Sequence, residues 1–255
     1  MFDRSKLILN YQRAGNVRNK KADFFFKFVC KEMIERSQVL ENPEGNFLEF
    51  DARNNYLYNE FKSKKIEKNF FQSIKSSSLP IHNKNKLIYK PGICLPEDYL
   101  FNVCFNILSI NISQDVVGEY KFVYNLLKNN GKFICAVPTE TSLIELKEIF
   151  YELFPNFNSF MPSIRMVDIA SIANNVGFKD IVIDKTELKL NVVYPKEIWS
   201  FIRSIGESNS HKNRNKHFIN KKKYNKLCNI IEKKIIRNKL NIDISIYFFI
   251  GYKKL

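Results

Sequence analysis

The stretch Val123-Tyr124-Asn125-Leu126-Leu127-Lys128-Asn129-Asn130-Gly131-Lys132-Phe133-Ile134 decides the fold class. Gln114 to Lys128 predicts a helix, with Val117, Tyr120, Val123, Tyr124 and Leu127 on one face at helical spacing. Asn129-Asn130-Gly131 predicts its end, with Gly131 as a left-handed cap. Lys132 to Val137 then predicts a strand, apolar on both faces and so buried on both. A helix that turns on a glycine into such a strand is half of a strand-helix-strand unit.

The same rhythm extends in both directions. Arg18 to Arg36 predicts an amphipathic helix burying Ala22, Phe25, Phe26, Val29 and Met33. Phe47 to Phe50 predicts a short strand, Lys75 to Lys90 a loop, and Asn102 to Leu108 a buried strand. Downstream, Thr141 to Leu153 predicts a helix capped by Thr139 or Thr141. Val167 to Val176 predicts another, ended by Gly177. Phe178 to Asp184, Glu187 to Val193 and Ile242 to Tyr252 predict strands. Alternating strands and helices give an α/β three-layer sandwich around a mostly parallel sheet.

Composition narrows the setting. The 255 residues are 45% hydrophobic, with 23 Phe and 12 Tyr that need a core, so disorder is excluded as a global description. No apolar run approaches the ~18 residues of a membrane-spanning helix. The opening Met1-Phe2-Asp3-Arg4 lacks the pattern of a secretion signal. Cys30, Cys94, Cys104, Cys135 and Cys228 are scattered, which predicts reduced thiols in a cytoplasmic protein. With three histidines in the chain, no metal centre is expected. The net charge is +15, and His211 to Lys239 holds eleven Lys or Arg against the single acid Glu232. One domain spans 1–255: an N-terminal helical cap (1–40), an α/β core (47–193), a basic helical insert (195–240) and a last strand (241–255).

The segment from Val123 to Ile134 resembles the helix, turn and fifth strand of class I S-adenosylmethionine-dependent methyltransferases, where the turn reads "LKPGG". Phe2-Asp3-Arg4 with Tyr11, Thr141 to Leu146, Phe160-Met161-Pro162 and Ser204 to Asn209 are similar to segments of the malonyl-acyl-carrier-protein O-methyltransferases of biotin synthesis. Gly206-Glu207-Ser208-Asn209 and Tyr247 to Lys253 resemble still more closely the arginine-hydroxylating complex I assembly factors. The resemblance implies a seven-stranded Rossmann-like sheet whose last strand is antiparallel. It also implies S-adenosylmethionine as cofactor and a cytoplasmic O-methyltransferase acting on the carboxylate of malonyl acyl carrier protein. A catalytically degenerate protein-modification or assembly factor is the alternative.

The family writes (D/E)-x-G-x-G-x-G after its first strand, where this chain has Glu49-Phe50-Asp51-Ala52-Arg53-Asn54-Asn55. Glu49 is kept, while Asp51, Arg53 and Asn55 replace the glycines that let a ligand approach the backbone. Asn55 tolerates positive φ, and Arg53 is placed to reach the cofactor's amino-acid end or to plug the pocket. At the second strand's end, Gln72, Ser73 or Ile74 stands where a ribose-binding acid is expected, and Asn102 replaces an Asp. The resemblance therefore assigns cofactor contacts to Tyr11, Glu49, Asp51, Arg53, Asn55, Ser73, Asn106 and Leu108. Three outcomes stay open: a fold without its cofactor, a re-formed S-adenosylmethionine site, or a different ligand and chemistry.

Methyl transfer to a carboxylate demands alignment more than a general base. Candidate grips for the acceptor carboxylate are Arg165, Arg203, His211 and Arg214, since a guanidinium fork matches a carboxylate. Lys212, Arg214, Lys221, Lys222 and Lys223 predict docking of an acidic protein, acyl carrier protein under the resemblance. Nucleic acid ranks second, because only Phe218 and Tyr224 interleave the charges. A membrane surface ranks third: Leu227, Ile230, Ile231 and Ile235 form a face that suits packing on the domain itself.

Overall fold

The computed structural model describes residues 2–16, 19–41, 43–88, 100–155, 160, 163–214, 219–236 and 242–254. Seven strands form one sheet: β1 (Phe47–Glu49), β2 (Phe70–Ile74), β3 (Lys86–Ile88), β4 (Phe101–Ile107), β5 (Leu127–Pro138), β6 (Lys179–Leu190) and β7 (Ile242–Tyr252). Their order is β3-β2-β1-β4-β5-β7-β6. The pairs among β1 to β5 are parallel, and β7 runs antiparallel between β5 and β6. This is the expected mostly parallel sheet with its last strand reversed.

The helices are α1 (Arg4–Gly15), α2 (Lys20–Ser37), α3 (Tyr56–Ser63), α4 (Val116–Leu126), α5 (Ile144–Leu153), α6 (Met166–Val176), α7 (Pro195–Ser204) and α8 (Lys221–Ile236). Alternation along β5 shows why its sequence is uniformly apolar. Ile134 and Ala136 pack with α2, α3, α5, α7 and α8, while Phe133, Cys135 and Val137 pack with α4 and α6. A third cluster seats Phe2, Leu7 and Tyr11 on Ala52, Ile74, Leu79, Ile81 and Ile112. It holds α1 over the carboxyl ends of the central strands, where open α/β sheets bind ligands.

Several local expectations are corrected. Gly131 is not the left-handed residue; Asn130 is, at φ 61°. Gly131 is needed for space, since a Cβ there would lie 2.8 Å from the Lys128 carbonyl and 3.1 Å from that of Phe101. Val117, expected on the buried face of α4, is exposed, while Glu119 is buried. Neither Thr139 nor Thr141 caps α5: their hydroxyls bond each other at 2.9 Å, and the helix starts after Leu143 at φ 58°. The two strands expected between 178 and 193 are the single strand β6, because β7 pairs with it continuously past residues 185–186. The expected loop from Lys75 to Lys90 contains β3, paired with β2. Helix α3 was not legible in the periodicity.

Helices α7 and α8 lie between β6 and β7. Leu227 and Ile231 of α8 are buried against the domain, while Lys221, Lys222, Lys223 and Lys226 are exposed. The apolar face considered for a membrane is thus occupied. Among the described residues no helix is long and apolar enough to cross a membrane. Cys30, Cys104, Cys135 and Cys228 are free; Cys94, Met161, Pro162, Lys216, Phe218, Arg237 and Lys239 lie outside the described residues.

Candidate functional site

The site lies at the carboxyl ends of β1, β2 and β4, under α1. Glu49 ends β1 beside Gln72 of β2 and Phe105 of β4, and is 1% exposed. Its Oε2 accepts a hydrogen bond from Gln72 Nε2 at 2.8 Å, and that amide also donates to the Asn54 carbonyl at 3.1 Å. Burial pushes the Glu49 carboxyl up to about 8, against the opposing Gln72 bond and the Arg53 charge, with Asp51 adding to the rise.

The loop after β1 keeps its left-handed turn at Asp51, φ 56°, one of the residue types that tolerate that conformation. Ser73 fixes it there: Asp51 N donates to Ser73 Oγ at 2.9 Å, and Ala52 N to the Ser73 carbonyl at 2.7 Å. The Asp51 carboxylate meets Lys75 Nζ at 2.5 Å, and Lys75 in turn reaches Glu119 of α4 at 3.3 Å. Burial works against the Lys75 charge, but Asp51 and Glu119 outweigh it and hold the ammonium above its ordinary range. Asn55 does not adopt positive φ; it sits at φ −110° and stitches loops together, donating to the Pro80 carbonyl at 2.6 Å and accepting from His82 N at 2.9 Å.

Arg53 is 4% exposed. Its Nη1 donates to Glu207 Oε1 at 2.6 Å, and its guanidinium carbon lies 4.9 Å from the Tyr11 ring centre and 5.6 Å from that of Phe26. Glu207 follows Gly206, whose φ of 76° and close approach to Tyr11 (2.8 Å from a Cβ position) admit no side chain. On the other side of the site, Asn106 is fully buried, donating to the Phe50 carbonyl and to Ser109 Oγ while accepting from Ile110 N. Leu108, at φ 54°, turns the chain out of β4.

Tyr11, Glu49, Asp51, Arg53, Asn55, Ser73, Asn106 and Leu108 therefore converge on one end of the sheet. The cationic candidates do not converge with them. Arg165 is exposed at the start of α6 and grips Asp168, with Nε and Nη2 each 2.8 Å from a carboxylate oxygen. Arg203 is exposed on α7 and donates to the Trp199 carbonyl. His211 packs its ring at a tilt on Phe2, ring centres 4.7 Å apart, and Arg214 pairs with Asp3 at 3.0 Å. The last two thus clamp the N-terminal segment. Lys75 and Glu119, and the parts played by Gln72 and Glu207, were missed; a lysine directly after β2 and an acid on the apolar face of α4 were the available signals.

The strand order and the reversed β7 match known structures over most of the chain. A candidate methyltransferase from Bacillus halodurans superposes with TM-score 0.58 at 8% identity, covering 89% of this chain and 99% of that one. The YcgJ protein of Bacillus subtilis gives 0.56 at 10%, covering 89% and 98%. A SAM-dependent methyltransferase from Archaeoglobus fulgidus gives 0.52 at 12%, covering 89% and 94%. The fold is that of the class I methyltransferases. Among curated proteins, the zebrafish (Danio rerio) mitochondrial arginine-hydroxylase NDUFAF5 is 24% identical over 226 residues, spanning 84% of this chain and 70% of that protein. No family model matches the chain.

S-adenosylmethionine is the cofactor of the class I methyltransferase fold, and Glu49 keeps the leading acid of its loop. The neighbouring residues do not fit it in the arrangement shown. Where the fold's glycines bring bare backbone to a ligand, Asp51 is tied to Lys75 and Arg53 to Glu207. Where a ribose would meet an acid, Gln72 donates to Glu49, Ser73 holds Asp51, and Ile74 packs in the α1 cluster. Two ion pairs and the Tyr11 ring fill the carboxyl ends of β1 and β2, the end of the sheet at which open α/β folds bind ligands.

Proposed function

We propose that this chain is a protein-directed modification or assembly factor built on the class I methyltransferase fold, with its cofactor position held shut by its own side chains. One observation carries the proposal: Arg53, in a glycine position of the loop, is buried in an ion pair with Glu207. Glu207 belongs to the Gly206–Asn209 segment that resembles the assembly factors, and the zebrafish relative is named an arginine-hydroxylase, which supports a protein as the object of the work. The exposed lysines of α8 supply a surface for an acidic partner. The free, mostly buried thiols support a reducing compartment, the cytoplasm in our proposal.

Methylation of malonyl acyl carrier protein retains one support, the same lysine face, because such carriers are acidic. The test is an assay with malonyl acyl carrier protein and S-adenosylmethionine, paired with mass spectrometry of arginines in cells with and without the gene. No methyl ester, together with an arginine-containing peptide that gains one oxygen atom from O2 only when the gene is present, a cellular two-electron reductant carrying the other atom to water, supports the proposal. Turnover to the methyl ester overturns it.

A further inference from the structure

We infer that Arg53 is the anchor of a binding site for a small carboxylic acid, in the cavity between α1, α2 and the loop after β1. That cavity encloses about 340 Å³ and is lined by Tyr11, Phe26, Arg53, Asn54, Asn59 and His82 among others. Its size lies at the low end of small-molecule pockets, about 300–1,000 Å³.

The observation that points to a ligand is an incomplete arginine. Glu207 takes Nη1, but Nε and Nη2 are buried and make no hydrogen bond. These two nitrogens form the edge of the fork that grips a carboxylate with two parallel bonds. Arg165 uses this same edge on Asp168, at 2.8 Å from each nitrogen. Proteins rarely leave buried donors unmatched, and a charged donor least of all. The Tyr11 hydroxyl beside it is also buried; it lies within electrostatic reach of the guanidinium but meets no partner in hydrogen-bond geometry.

The surroundings define the ligand class. The Tyr11 and Phe26 rings face the guanidinium and fix its plane, so the open edge is held in place before a ligand arrives. Their faces suit a flat apolar body next to the carboxylate. Asn54, Asn59 and His82 line the cavity and suit a polar group on the ligand's remainder. Tyr11 belongs to α1, which rests on the site through a small apolar cluster. The inference is separate from the protein-directed function: it concerns what fills the open edge, whichever partner the chain serves.

Calorimetry on the full chain with benzoate, and with benzamide as the neutral isostere, tests it. A probe this small is expected near millimolar affinity. Benzoate is expected to bind at least about tenfold tighter than benzamide, the difference one charge-assisted fork makes. Arg53→Lys, which keeps the charge and loses the fork, should weaken benzoate about tenfold. Glu207→Gln, which relieves Arg53 of its competing carboxylate, should strengthen it severalfold; this variant decides the matter if Arg53→Lys does not fold. Equal binding of benzoate and benzamide, absence of binding, or a Glu207→Gln variant no tighter than wild type overturns the inference. Displacement of benzoate by stoichiometric S-adenosylhomocysteine would assign the edge to the fold's own cofactor, overturning both this site and the shut-cofactor account.

Discussion

Arg53 and Glu207 meet at 2.6 Å across 154 residues of sequence, joining the loop after β1 to the turn after α7 inside a site closed over by Tyr11. Burial and the pair's separation from water make this contact asymmetric in its energetics. Removing one partner strands a buried charge, which costs about 3–5 kcal/mol, whereas removing both costs less. Arg53→Met and Glu207→Leu should each lower stability in urea by that order, and the double variant should recover part of the loss. Additive losses would show that the two charges do not depend on each other.

Glu49 supplies a pH dependence. Its carboxyl is pushed up to about 8 by burial, against an ordinary 4.5. Between those values the folded chain holds a proton that the unfolded chain has released, so stability from this group is full below about 4.5 and is lost as pH rises through about 8. Glu49→Gln should therefore flatten the fall in melting temperature between about pH 4.5 and 8, the span between the two values. A wild-type melting temperature that rises across the window, or a variant that falls as steeply, would contradict the assignment.

Lys75 balances two acids at once, Asp51 at 2.5 Å and Glu119 at 3.3 Å. Lys75→Met leaves both carboxylates buried without a cation, a loss of about 3–5 kcal/mol at neutral pH. Because burial raises the Glu119 carboxyl, acid conditions neutralise it early, so the deficit should shrink as pH falls. Denaturation at two pH values checks it, and a deficit independent of pH would reduce Lys75 to a packing residue.

Lys221, Lys222 and Lys223 are exposed at the start of α8 and bear little on folding. Reversal of all three to Glu should leave the melting temperature nearly unchanged, within about 0.5 kcal/mol per site. It should weaken binding to an acidic protein partner severalfold at low salt, with the difference fading as salt rises. Unchanged affinity at low salt would remove α8 from the docking surface.

The fold was legible because β5 and α4 carry unambiguous periods, and because β7 is β-branched and aromatic throughout. What escaped was set by partners distant in sequence. β6 looked like two strands until β7 paired across its middle, and the start of α5 is fixed by Leu143 N donating to the Asp243 carbonyl. The replaced glycines were visible at Asp51 and Arg53, but their partners Lys75 and Glu207 were not. No local rule ties a lysine after β2 to an aspartate after β1. Asn55, expected at positive φ, takes an ordinary φ because Asp51 already makes the turn.

The most direct measurement is calorimetric titration of S-adenosylmethionine, and separately S-adenosylhomocysteine, into the folded wild-type chain. With Arg53 tied to Glu207 and Lys75 to Asp51 in the loop after β1, no saturable heat is expected up to millimolar ligand. Saturable micromolar binding of either compound would contradict it.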